Sequence, residues 1–238
     1  MNAQEILTTL RKHGKPRTAA TYKRHGAGDN VFGVLTSDIG KLQKKIKVDH
    51  ALAMELWKTR NAEARALALQ IADPDKLSWT DADRLLKEGP VRFVGYYLAG
   101  LVARSPIAEK TMRAWMSSPD EYSREMGYSV LAFRLRGDPG SISNADAEHV
   151  LATIEKEIRR SPNWARYAMN TALIAIGVSK PALSQKAMDA ARRIGKVEVD
   201  HGDTYCKTPD AVAYIEKSLK RKVRGGNAGG DRRVRVSS

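Results

Sequence analysis

Hydrophobic positions recur along this chain with the period of an α-helix. Ala64, Leu67, Ala68 and Ile71 stand at i, i+3, i+4 and i+7, and Val94, Tyr97, Leu98 and Leu101 repeat the template. So do Ala147, Val150, Leu151 and Ile154, and again Met169, Ala172, Leu173 and Ile176. Such spacing gathers apolar side chains on one helical face. Between the segments lie clusters such as "ADPDKLS", "KEGP", "RSP", "SSPDE" and "RGDPGSISNAD", where Pro or Gly beside capping residues stops one helix and starts the next. No alternating run of strand length occurs; the short "KVEVD" reads as loop.

The segments are themselves spaced regularly. From Ala64 to Val94 is 30 residues, a comparable helix near Met126 to Leu135 follows, and the Met169 segment lies beyond it. Periods of this size belong to stacked helix pairs, each able to bury one face and therefore obliged to pack on a neighbour. The expected fold is all-α: a C-shaped, HEAT-like α-solenoid of antiparallel helix pairs whose inner helices line a concave wall. Periodicity alone leaves an irregular helical bundle open.

Composition narrows the function. A chain of 238 residues, 42% hydrophobic and 29% charged, has the balance of a globular protein. Its lone cysteine excludes an internal disulfide and fits a reducing, cytoplasmic setting. The polar start "MNAQEILTTLRKHGK" resembles no secretory signal, and no apolar run is long enough to span a bilayer. The net charge is +14, which favours polyanionic partners through counterion release. From Lys217 onward eight Lys or Arg face one Asp, so this end contributes 8 − 1 = +7. A helical domain over 1–222 and a basic, disordered tail over 223–238 are expected.

The remaining charge lies on the helical body. Arg60, Arg65, Arg92, Arg124, Arg160 and Arg166 fall at or near helix ends and entry turns, where an arc of guanidinium groups would follow a nucleic-acid backbone without reading sequence. The same arginines could equally pair with outer-face carboxylates. Near the C-terminus, Asp200, His201, Asp203 and Cys206 cluster within seven residues. Their spacing matches no zinc signature, and no third group supports Cys206 as a nucleophile. The expected reading is a turn before the last helix, with Thr208 as cap, Pro209 as first helical residue, Lys207 available to phosphate, and no metal bound.

Taken in order, "ELWKTRNAEARALALQIA", "RAWMSSPDEYSREMGYSVLA", "RYAMNTALIAIG" and "GKVEVDHGDTYCKTPDAVAYI" resemble the DNA alkylation repair family, the AlkD-like HEAT-repeat DNA glycosylases. The resemblance implies a concave groove that grips double-stranded DNA and releases N3- or N7-alkylated purines without cofactor or metal. No membrane and no obligate protein partner is expected. The family pattern, a Trp with an Asp four residues on and an Arg in the next repeat, can be laid on Trp79, Asp83 and Arg124. A second register puts Phe93, Tyr97 and Glu125 at those places. Three functions stay open: an alkylpurine glycosylase, a non-catalytic binder of DNA shape or branched DNA, and a HEAT-type protein scaffold. A carboxylate over a basic groove would favour the first.

Overall fold

The computed structural model describes residues 1–89 and 92–228, with side chains through Arg221. Helices α1 (Ala3–His13), α2 (Pro16–Arg24) and α3 (Thr36–Ile46) precede a row of pairs. These are α4 (His50–Lys58) with α5 (Ala62–Ile71), α6 (Trp79–Glu88) with α7 (Arg92–Ala103), and α8 (Ala108–Met116) with α9 (Glu121–Gly137). Then come α10 (Asn144–Glu157) with α11 (Asn163–Ser179), and α12 (Ser184–Ile194) with α13 (Ala211–Ala228). No strand occurs among the described residues. Helices α5, α7, α9, α11 and α13 pack each on the next as an inner layer, backed by α4, α6, α8, α10 and α12. The α-solenoid expected from the repeat spacing is the fold.

Local chemistry explains the boundaries. Asn2, Asp49, Asn61, Ser78, Asp120 and Ser143 each accept a hydrogen bond from the backbone N–H three residues on. Each such cap stabilises a helix start by about 1 kcal/mol. The apolar stripes form the core: Leu67, Leu101, Met169 and Ile176 are fully buried. Tyr97 departs from its stripe and is only half-buried, because its helix turns that edge toward a cleft. Gly127 lets α9 cross α8 closely; a Cβ there would collide with the backbone nitrogen of Met116.

The N-terminal helices fold back over the row. The fully buried Glu63 accepts hydrogen bonds from the backbone N–H groups of Phe32, Gly33 and Val34, fixing the α2–α3 connection on α5. Tyr22 of α2 donates to the Val34 carbonyl and stacks on Phe93 at 4.5 Å between ring centroids.

At the other end, "KVEVD" is loop as expected, but the last helix starts later than read. Asp210, not Thr208, is the cap: its carboxylate accepts from the Ala213 N–H, and Pro209 stands before the helix. The backbone of α13 runs past residue 222 to Ala228, so the first residues of the expected tail continue this helix; residues 229–238 lie outside the described ones.

Candidate nucleic-acid interface

Residues from both ends of the row line one cleft of about 950 Å³. Its floor is formed by α7, α9 and α11; one rim is α2, and the other is the loop Asp200–Cys206. The ends therefore bend toward each other. The cleft is rich in aromatic rings. Phe93 meets Tyr97 edge-on at 5.9 Å, Tyr96 meets Tyr97 at 5.5 Å and Phe133 at 4.9 Å. On α11, Trp164 and Tyr167 form a second group with His201 of the rim loop. Burial raises the hydroxyl pKa values of Tyr22, Tyr97 and Tyr167, so these rings stay neutral at physiological pH.

An ion pair sits between the two aromatic groups. The Arg92 Nη2 donates to Glu125 at 3.2 Å, and its guanidinium carbon lies 3.0 Å from the centroid of the Trp164 ring. Trp164 is held from below by its backbone N–H, which donates to Glu121 at 2.6 Å. Burial dominates both charges, because a low-dielectric site disfavours the ionised form. It lowers Arg92 to about 10, against the opposing pull of Glu125. It raises Glu125 to about 7, which Arg92 opposes and Glu121 reinforces. Tyr122, whose hydroxyl donates to the Gly89 carbonyl, is pushed up by the same desolvation. The Nη1 of Arg92 is buried and has no hydrogen-bond partner among the described residues.

The residues proposed from sequence are dispersed. Trp79 and Asp83 lie on the outer helix α6, outside the cleft: Lys110 lies over Trp79 at 5.8 Å, and Asp83 pairs with Lys87 at 2.7 Å. The Trp–Asp spacing arose there from an ordinary helix start, with Ser78 as cap. In the other register, Phe93 and Glu125 line the cleft and Tyr97 packs against Phe93.

Of the arginines, Arg92 lines the cleft, whereas Arg65, Arg124 and Arg166 occupy one repeated position, four residues beyond the cap of α5, α9 and α11. Each Nε donates to a carbonyl of the preceding turn: Trp57, Met116 and Ser161. Each then reaches the end of the next repeat, at the Glu88 carbonyl, the Glu157 carboxylate and the Glu198 carbonyl. These three half-buried guanidinium groups clamp successive repeats. Arg160 pairs with Glu157. Arg60 is an exposed turn residue with φ of 57°. Lys207 lines a separate cavity of about 1240 Å³ at the end of the row, with Arg166 and Lys196.

The terminal loop is tied by side-chain hydrogen bonds. Asn163 exchanges two hydrogen bonds with the backbone of Asp200, His201 bonds Thr208, and Thr204 donates to the His201 carbonyl. Cys206 is exposed. No group of three His, Cys, Asp or Glu among the described residues is placed to hold a metal, and no described helix is long and apolar enough to cross a membrane.

Tyr22, Tyr96, Phe133, Arg136, Trp164 and Tyr167 were missed by sequence reasoning. A signal existed for some: Phe93 with Tyr96 and Tyr97, and Trp164 with Tyr167, stand at i, i+3 and i+4, which puts rings on one helical face. Nothing in the sequence says that both faces open on the same cleft.

The profile of a family described as DNA alkylation repair enzyme matches residues 6–215. The uncharacterized protein Lmo0209 of Listeria monocytogenes is 28% identical over 223 residues, covering 91% of this chain and 97% of that one. Lin0241 of Listeria innocua is 28% identical over 224 residues with the same coverage. A solved structure, described as a new family of proteins related to the HEAT-like repeat DNA glycosylases with affinity for branched DNA structures, superposes with a TM-score of 0.86. It is 31% identical and covers 93% of this chain and 95% of its own.

Proposed function

The chain belongs to the DNA alkylation repair enzyme family, and from that premise we propose that it is a DNA-binding member whose cleft recognises branched or locally unpaired DNA. The observation that carries this is the aromatic lining. Regular duplex DNA hides its base faces in the stack, whereas a junction or fork exposes them, and aromatic rings bind such faces in a sequence-tolerant way. The rings of Tyr96, Phe133, Trp164 and Tyr167 border the cleft beside Arg24, Arg92 and Arg136, so stacking and phosphate attraction are offered together. The solved relative with affinity for branched DNA points the same way.

Excision of N3- or N7-alkylated purines is the second reading, and Glu125 favours it as a carboxyl group on the cleft wall. Stabilising a cationic sugar requires an anion aimed at it. Glu125 is a weak candidate for that task, since its pKa near 7 leaves it partly protonated at neutral pH and its oxygen is engaged by Arg92.

Fluorescence anisotropy with a four-way junction, a fork and a linear duplex of equal length tests the main reading. Tighter binding to both branched substrates, with affinity falling steeply as salt rises, is expected. Equal affinity for all three at matched salt would overturn it. Release of N7-methylguanine by wild type, abolished in Glu125→Gln, would establish the second reading instead.

A further inference from the structure

Behind the main cleft lies a second cavity of about 880 Å³, floored by small residues including Gly100 and Ala103. Three side chains line both cavities: Tyr96, Phe133 and Arg136. Together they form a ridge between the two. Tyr96 is 57% exposed, unusual for so large a ring, and is braced from two sides by edge-on contacts with Tyr97 and Phe133. The Arg136 guanidinium stands 5.9 Å from the Phe133 ring and makes no ion pair among the described residues. The ridge therefore keeps a braced ring and a cation that no described carboxylate holds accessible side by side. It suits a group that inserts between bases and holds the adjoining phosphate.

Resting on the DNA-binding reading above, we propose that this ridge divides the strands at a DNA branch point: Tyr96 stacks on the first unpaired base while the displaced single strand enters the second cavity. Charge supports this occupant. The cavity is lined by three arginines, Arg104, Arg134 and Arg136, against one carboxylate, Asp138, which is exposed and accepts from the Gly140 N–H. The small floor residues leave room for a base and sugar, and the aromatic wall matches a base face rather than a paired edge. Arg136, placed at the divide, serves both strands.

The test uses the full chain with a forked duplex carrying 2-aminopurine as the first unpaired nucleotide. Binding of wild type should quench its fluorescence by stacking. Tyr96→Ala should abolish the quench and weaken fork binding roughly tenfold, the size expected for one lost base–aromatic stack, while affinity for linear duplex changes less than twofold. Tyr96→Trp should restore both fork affinity and quench. If Tyr96→Ala weakens fork and duplex equally, or binds the fork as wild type does with the quench intact, the ridge is not a strand divider. If wild type prefers no branched DNA at all, the underlying reading fails and the inference with it.

Discussion

Glu125→Gln is the perturbation that most directly questions the electrostatics of the cleft. Burial raises the Glu125 carboxyl from its ordinary 4.5 to about 7 even though Arg92 lies 3.2 Å away. At 1.36 kcal/mol per pKa unit, a shift of this size corresponds to about 3 kcal/mol. The sign follows from proton linkage. Between pH 4.5 and 7 the native protein retains a proton that the unfolded chain has released, so this group's contribution falls as pH rises through that window and is level above it. Arg92 does not confuse the measurement, since it keeps its proton to about pH 10. Glutamine preserves size and an acceptor for Arg92 but cannot titrate. Urea unfolding of both proteins at pH 5 and pH 8 is the assay. Because pH 5 lies slightly inside the window, wild type should lose somewhat less than the full amount, about 2 kcal/mol or a little more, relative to the variant between the two conditions. Stability curves that run parallel within about 0.5 kcal/mol, below what a shifted buried carboxyl must produce, would show that Glu125 is solvated and that the cleft is not the low-dielectric site described.

Asp83→Asn should change stability by under about 0.5 kcal/mol and leave DNA affinity unaltered, because it breaks an exposed helix pair with Lys87; a large loss of binding in anisotropy would return α6 to the site. Arg65→Ala removes two bonds to backbone carbonyls and a stack on Trp57 at 4.5 Å, and should cost about 2 kcal/mol in urea unfolding. Gly127→Ala forces a methyl against the α8 backbone and should cost about 3 kcal/mol or prevent folding, while Gly100→Ala, where the nearest atom is 3.5 Å away, should be neutral or slightly stabilising by thermal melt. Cys206→Ser should leave melting temperature and DNA binding unchanged, and stoichiometric zinc in wild type lost in this variant would contradict the loop's described bonding.

Sequence alone determined the fold class. Helical periodicity at Ala64–Ile71 and Met169–Ile176 is a local property, since burying one face of a helix needs only the right residues three and four apart, and the caps at Ser78 and Ser143 are equally local. The regular spacing of those segments pointed to stacked pairs but left an irregular bundle open, and the packing of α5, α7, α9, α11 and α13 each on the next decided between them. The fate of individual polar residues was not local. Arg65, Arg124 and Arg166 look like any basic helix residue until the next repeat is in place to present its terminal carbonyl or carboxylate. Trp79 and Asp83 have the spacing of a site and the position of an outer surface, and only packing tells those apart. Glu125 and Arg92 are 33 residues apart, and neither their pairing nor the pKa near 7 exists outside the folded core, because desolvation comes from neighbours on α7, α9 and α11. The cleft itself, with rings from α2, α7, α9 and α11 facing one space, is a product of curvature. Periodicity fixes which side of each helix is buried; the angle between successive repeats, set by side-chain packing along the whole row, decides which of the remaining sides converge.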